Sequence, residues 1–159
     1  MRVLLPVAVV LILLVGAACG GDSGDSRLRT ERWIEDADEI CEDENDALGE
    51  LEPPKIDPFD ESLTPAQLDE IAVYLERSLA LQNEMTGRLD DLGLPANDPG
   101  EIEDVLEQRE RGQAAVENAI AAARNGDGER FVIRYRQAVT EYSKASQGAY
   151  EFGLEECGQ

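Results

Sequence analysis

Two polar residues, Gln82 and Arg109, interrupt the apolar stripes of otherwise helical segments. Counted outward from the turn around 94–97, each lies about thirteen positions away, so an antiparallel helix pair brings them to one height. Gly112, one turn beyond Arg109, leaves space beside them. A half-buried Gln–Arg layer can read an anionic ligand in a bundle core, because a guanidinium matches carboxylates in a two-pronged geometry. The same spacing admits a structural role, in which Arg109 runs along a seam to water and Gln82 sets register.

Glu35, Asp36, Asp38, Glu39, Glu42, Asp43, Glu44 and Asp46 crowd one face of the first helical segment. Clustered carboxylates attract calcium or magnesium, but a dedicated site needs oxygens that converge, whereas side chains on one helix diverge. A solvated face is the expectation. Residues 125–129 (Asn-Gly-Asp-Gly-Glu) open like a calcium loop, yet Arg130 stands where that loop requires Gly and Arg136 where it requires a bidentate Glu. A turn with a helix cap is expected there instead, and no metal site is assigned. Phe131, Tyr135, Tyr142, Tyr150 and Phe152 recur at helical spacing and read as core. Trp33 either covers the end of the bundle or rests at a lipid interface.

Histidine is absent, which removes the commonest general base and metal ligand. There is no Cys-x-x-Cys, Gly-x-Ser-x-Gly or phosphate-binding loop, so no catalytic residue and no cofactor is expected. A carboxylate-pair glycan hydrolase would need two acids in a cleft, which a slim bundle rarely offers. With 14 basic against 35 acidic residues, the net charge of −21 disfavours nucleic acid and adsorption to anionic lipid.

Three cysteines leave an odd thiol, and the N-terminus accounts for it. Met1-Arg2 is followed by an apolar run from Val3 to Val15, shorter than the roughly 20 residues that span a bilayer but suited to a signal peptide. Ala17-Ala18-Cys19-Gly20-Gly21-Asp22 then resembles the end of bacterial lipoprotein signals, which implies cleavage before Cys19 and diacylation of its thiol. Gly16 departs from the usual Leu, Val or Ile at its position, and the same bond suits ordinary signal peptidase, so secretion is the alternative. Cleavage there removes Arg2 and no acid, taking the charge from −21 to −22. With Cys19 lipidated, Cys41 and Cys157 remain as a pair in an oxidising compartment. A disulfide between them would close most of the mature chain and contribute on the order of 4 kcal/mol.

Periodicity and caps predict four helices and no strand. After a signal at 1–18 and a small, polar tether at 19–29, the domain covers 30–159. Helix 1 is expected over 30–51, with Trp33, Ile34, Ala37, Ile40, Cys41, Leu48 and Leu51 on one face. Thr64-Pro65-Ala66-Gln67 is a capping box with Pro at the first helical position, and Gly93 ends that helix. Asp98, Pro99 and Glu101 repeat the pattern for helix 3, which Asn125-Gly126 stops before helix 4 begins near Asp127. The expected fold is an up-down-up-down four-helix bundle. The Pro-rich connection 52–63 is long for a bundle turn. It allows helix 1 to slide toward Cys157; otherwise the tail after Gly148 and Gly153 must fold back to reach Cys41.

Together with the residues around Cys19, the stretch Trp33–Cys41 and the ending Gly153–Gly158 resemble small helical lipoproteins of high-GC Gram-positive bacteria. That resemblance implies compartment and disulfide and no particular activity. The expectation is a monomeric, non-enzymatic domain anchored by lipid on the extracytoplasmic face of the membrane, binding an envelope protein or glycan. The alternative is a binder of a small anionic ligand or cation, through the bundle interior or the acidic face. A concave pocket lined by Gln82 and Arg109 would favour the alternative, and an exposed apolar patch would favour the partner.

Overall fold

The computed structural model describes residues 22–60 and 62–158, so the signal at 1–18 and Cys19 lie outside the described residues. Among the described residues the fold is an all-α bundle of four helices: α1 Asp22–Gly49, α2 Pro65–Leu92, α3 Pro99–Arg124 and α4 Gly128–Phe152. α1 starts well before residue 30, and 22–29, expected as tether, is helical backbone. Ser and Asp suit a helix start, and an amphipathic helix already nucleated extends upstream at little further cost.

The caps show how local chemistry sets the boundaries. At α2 the capping box is complete: Thr64 Oγ1 accepts from the Gln67 N–H at 3.4 Å, and Gln67 Oε1 accepts from the Thr64 N–H at 2.9 Å. At α3 the expected box does not form. Asp98 sits in the left-handed region (φ 52°, ψ 45°) and makes no side-chain cap bond. An N-cap side chain typically bonds the first turn from negative φ, and the left-handed turn after Asn97 takes the Asp98 carboxylate out of reach. Asp127 does cap α4, accepting from the Arg130 N–H at 3.0 Å, which is the turn-and-cap role expected of 125–129.

The helices pack in chain order, with α3 and α4 in the most extensive contact. Small residues explain it. Gly112, Ala115, Ala119 and Ala122 on α3 and Ala138, Ala145 and Ala149 on α4 are all buried, which lets the backbones approach. α1 is displaced along the bundle. Its Trp33, Ala37, Ile40 and Cys41 share a core with Met85, Leu89, Ile102, Val105, Ala145 and Ala149, the half nearest the α2–α3 turn. In the other half, built on Leu68, Leu75, Ala119, Phe131 and Val132, no α1 residue joins the core among the described residues; Ile56 and Leu63 of the connector pack there instead. The long Pro-rich connection thus stands in for helix over half the bundle.

The tail folds back as well. Gly153 turns in the left-handed region (φ 108°) and sends Leu154 and Cys157 into the core beside α1. Asp38 accepts from the N–H groups of Glu155 and Glu156 at 3.1 and 3.0 Å, and Asn45 Nδ2 donates to the Glu156 carbonyl at 3.0 Å. Cys41 and Cys157 are disulfide-bonded, with Cα atoms 5.1 Å apart across a separation of 116 residues. Trp33 covers the bundle end: its ring meets Phe152 edge-on at 6.0 Å, and its Nε1–H donates to the Gly93 carbonyl at 2.8 Å. Tyr150, read as core from its spacing, is instead exposed on α4, as is Val139.

Candidate functional site

The displacement of α1 and the returning tail leave a cleft between α1 and α4, about 260 Å³ in volume. Cys41, Glu44, Asn45 and Leu48 line it from α1, Gln82 from α2, Arg109 from α3, and Tyr142 and Ser146 from α4. Glu156 and the Cys157 side of the disulfide close one wall. The cleft lies about midway along the bundle, because Glu44, in the last two turns of α1, is level with Arg109 near the middle of α3.

Gln82 and Arg109 both line this cleft but do not pair with each other. Tyr142 Oη donates to Gln82 Oε1 at 2.5 Å, and the Gln82 backbone carbonyl accepts from Thr86 Oγ1 at 2.9 Å and Gln113 Nε2 at 3.2 Å. Arg109 Nη2 donates to Glu44 Oε2 at 3.2 Å, and its guanidinium lies 6.0 Å from the centre of the Tyr142 ring. Gly112 makes the arrangement possible, since a Cβ there would stand 3.0 Å from Tyr142 Cζ. The room that Gly112 provides is filled by that ring.

Glu44 is the member that the sequence did not single out. It was grouped with the solvated acids of helix 1, yet its side chain is only 6% exposed and that of Arg109 only 11%. The signal was present in the spacing. Position 44 follows Cys41 by three and precedes Leu48 by four, so it completes the inward stripe; its charge masked its place. Of the other acids on that face, Glu35, Asp36, Glu39, Glu42, Asp43 and Asp46 are exposed. Asp43 pairs with Arg88 at 2.8 Å, and Asp38 holds the tail.

The ion pair is incompletely satisfied. Glu44 Oε1 and Arg109 Nε are both buried without a hydrogen-bond partner. Such groups cost free energy unless something answers them. Burial pushes the Glu44 carboxyl above its ordinary value, with Arg109 pulling the other way. Burial likewise raises the Tyr142 phenol, so it stays protonated and acts as a donor. The cleft is lined by two carboxylates (Glu44 and Glu156), one guanidinium, the Tyr142 and Ser146 hydroxyls and the amides of Asn45 and Gln82. Among the described residues, no three Cys, Asp or Glu side chains gather as a metal would require. A larger cleft, about 390 Å³, lies under the connector beside Glu70, Val73, Tyr74 and Arg77, but none of the buried unpartnered atoms lines it.

In comparisons with known proteins, no family model, no curated protein and no solved structure matches the chain.

Proposed function

We propose that this is a lipid-anchored domain of the extracytoplasmic face of the membrane that binds a small polar ligand in the cleft between α1 and α4. The address rests on the basic start, short apolar run and Cys19 of the N-terminus. A single observation carries the binding reading: Glu44 and Arg109 form a buried ion pair in which Arg109 Nε and Glu44 Oε1 have no partner among the described residues, beside a cavity. Evolving such a pair for stability alone is uneconomical, because apolar residues of similar volume do as well or better. A site built to hold a ligand gains from it.

A protein or glycan partner is the second reading, favoured by Val139 and Tyr150, which stand exposed on one side of α4 and line a groove next to the cleft. A native mass spectrum of the mature protein, gently extracted from its own envelope, separates the two. A small added mass beyond lipid and polypeptide is expected on the wild type and is lost in the double variant Glu44→Gln/Arg109→Met, which removes both charges together and keeps the fold. A second macromolecule would support the partner. A bare lipidated chain, two hydrogens light for the disulfide, would end the small-ligand reading.

A further inference from the structure

We propose that the ligand is a small zwitterion of the amino-acid class, its carboxylate facing Arg109 and its ammonium facing Glu44. This rests on the small-ligand reading and sharpens it by complementarity. Arg109 Nε is an unpartnered donor on a cation, and Glu44 Oε1 is an unpartnered acceptor on an anion. The two residues touch, with Nη2 and Oε2 3.2 Å apart, and both unpartnered atoms are buried, so a ligand entering the cleft answers them by parting the pair.

A plain anion fits this locus poorly. Its charge would meet Glu44 beside Arg109, and the net charge of −21 would repel it on approach. A plain cation is drawn by Glu44, Glu156 and the net charge but leaves the Arg109 donor unanswered. A neutral polar ligand meets no repulsion but leaves the charged hydrogen bonds, the strongest available, unused. A carboxylate and an N–H-bearing ammonium a few bonds apart answer both open atoms with no net charge.

Size and surroundings agree. At about 260 Å³ the cleft falls just under the roughly 300–1,000 Å³ of drug-sized pockets, so it suits a metabolite of few atoms. Leu48 and the Tyr142 ring supply apolar wall, and Tyr142 and Ser146 also border the open groove along Val139 and Tyr150. A side chain leaving the cleft on that side meets apolar surface. Apolar amino acids are therefore favoured over acidic ones.

The test presents the twenty common L-amino acids singly to the purified wild-type domain, with disulfide intact, by thermal shift and calorimetry. The best binder is then compared with its decarboxylated amine and its deaminated acid. Each loses one charged hydrogen bond and is expected to bind roughly 10- to 100-fold more weakly. Glu44→Gln is expected to weaken the amino acid by a similar factor while strengthening the deaminated acid, whose carboxylate Glu44 no longer repels, a contrast that a merely unfolded variant does not produce. An acid or an amine that binds as tightly as the parent would overturn the zwitterion and leave the binding reading intact. Failure of every amino acid, with a small mass still present in the native spectrum, would do the same. Failure of every amino acid with a bare native spectrum would end both.

Discussion

At the residue scale, Glu44 and Arg109 stabilise each other and are both costly to bury, and the balance depends on pH. Burial holds the folded carboxyl of Glu44 above its ordinary 4.5, so the folded protein binds that proton more tightly than the unfolded chain does. Stability from this group is therefore withdrawn as pH rises from about 4.5 through the raised folded value. The difference in unfolding free energy between wild type and Glu44→Gln, measured by urea denaturation across that window, should fall as pH rises. A difference that rises instead would mean that Arg109 outweighs burial. Arg109→Met alone leaves Glu44 buried and unpaired, at a cost of about 3–5 kcal/mol near neutral pH. That cost should shrink in mild acid, where Glu44 takes up a proton, and most of it should vanish in Glu44→Gln/Arg109→Met. A double variant as unstable as the single one would show that Arg109 acts through packing of its stem rather than through charge.

At the element scale, helix identities and most boundaries were legible because they rest on local chemistry: the Thr64–Gln67 box, Pro65 and Pro99 at first positions, Gly93 and Gly126 at the ends. Asp98 was misleading for the same reason. Its type says cap, but the turn from Asn97 holds it at positive φ, which only tertiary context decides. Val139 and Tyr150 recur at helical spacing yet lie on the exposed face of α4, and spacing alone does not tell that face from the buried one. The glycines separate local from tertiary effects. A Cβ at Gly87, exposed on α2, would meet nothing within 4 Å, so Gly87→Ala should stabilise by about 0.5–1 kcal/mol through helix propensity. Gly112→Ala gains the same propensity but drives a methyl to 3.0 Å from the Tyr142 ring, at the closest helix pair. The overpacking cost of about 1–3 kcal/mol exceeds that gain. Gly112→Ala should lower the thermal midpoint, loosen the Tyr142–Gln82 bond and weaken binding in the cleft, whereas Gly87→Ala should raise the midpoint and leave binding alone.

At the scale of the whole molecule, the disulfide, the displaced helix and the long connector are one solution. Cys41 lies in mid-helix and Cys157 at the chain's end, so the pair was open to a sliding α1 or to a returning tail; the fold uses both. Choosing between them required knowing that Ile56 and Leu63 could complete the other half of the core, a long-range packing fact that spacing along one helix does not carry. The consequence is a cleft with one wall made of tail. That wall hangs from α1 by the disulfide, by half-buried Asp38 and by exposed Asn45, and each of these hydrogen bonds is individually weak. Breaking the covalent link should therefore act on the site before it acts on the fold. Cys41→Ser/Cys157→Ser frees a closed loop of more than a hundred residues and should cost about 5 kcal/mol by loop entropy. Well below the denaturation midpoint, amide exchange should quicken first at 153–158, and ligand affinity should fall with it while the helical signal persists. Uniform quickening across all four helices would show instead that the disulfide holds the bundle itself, and that the tail is not a separable wall.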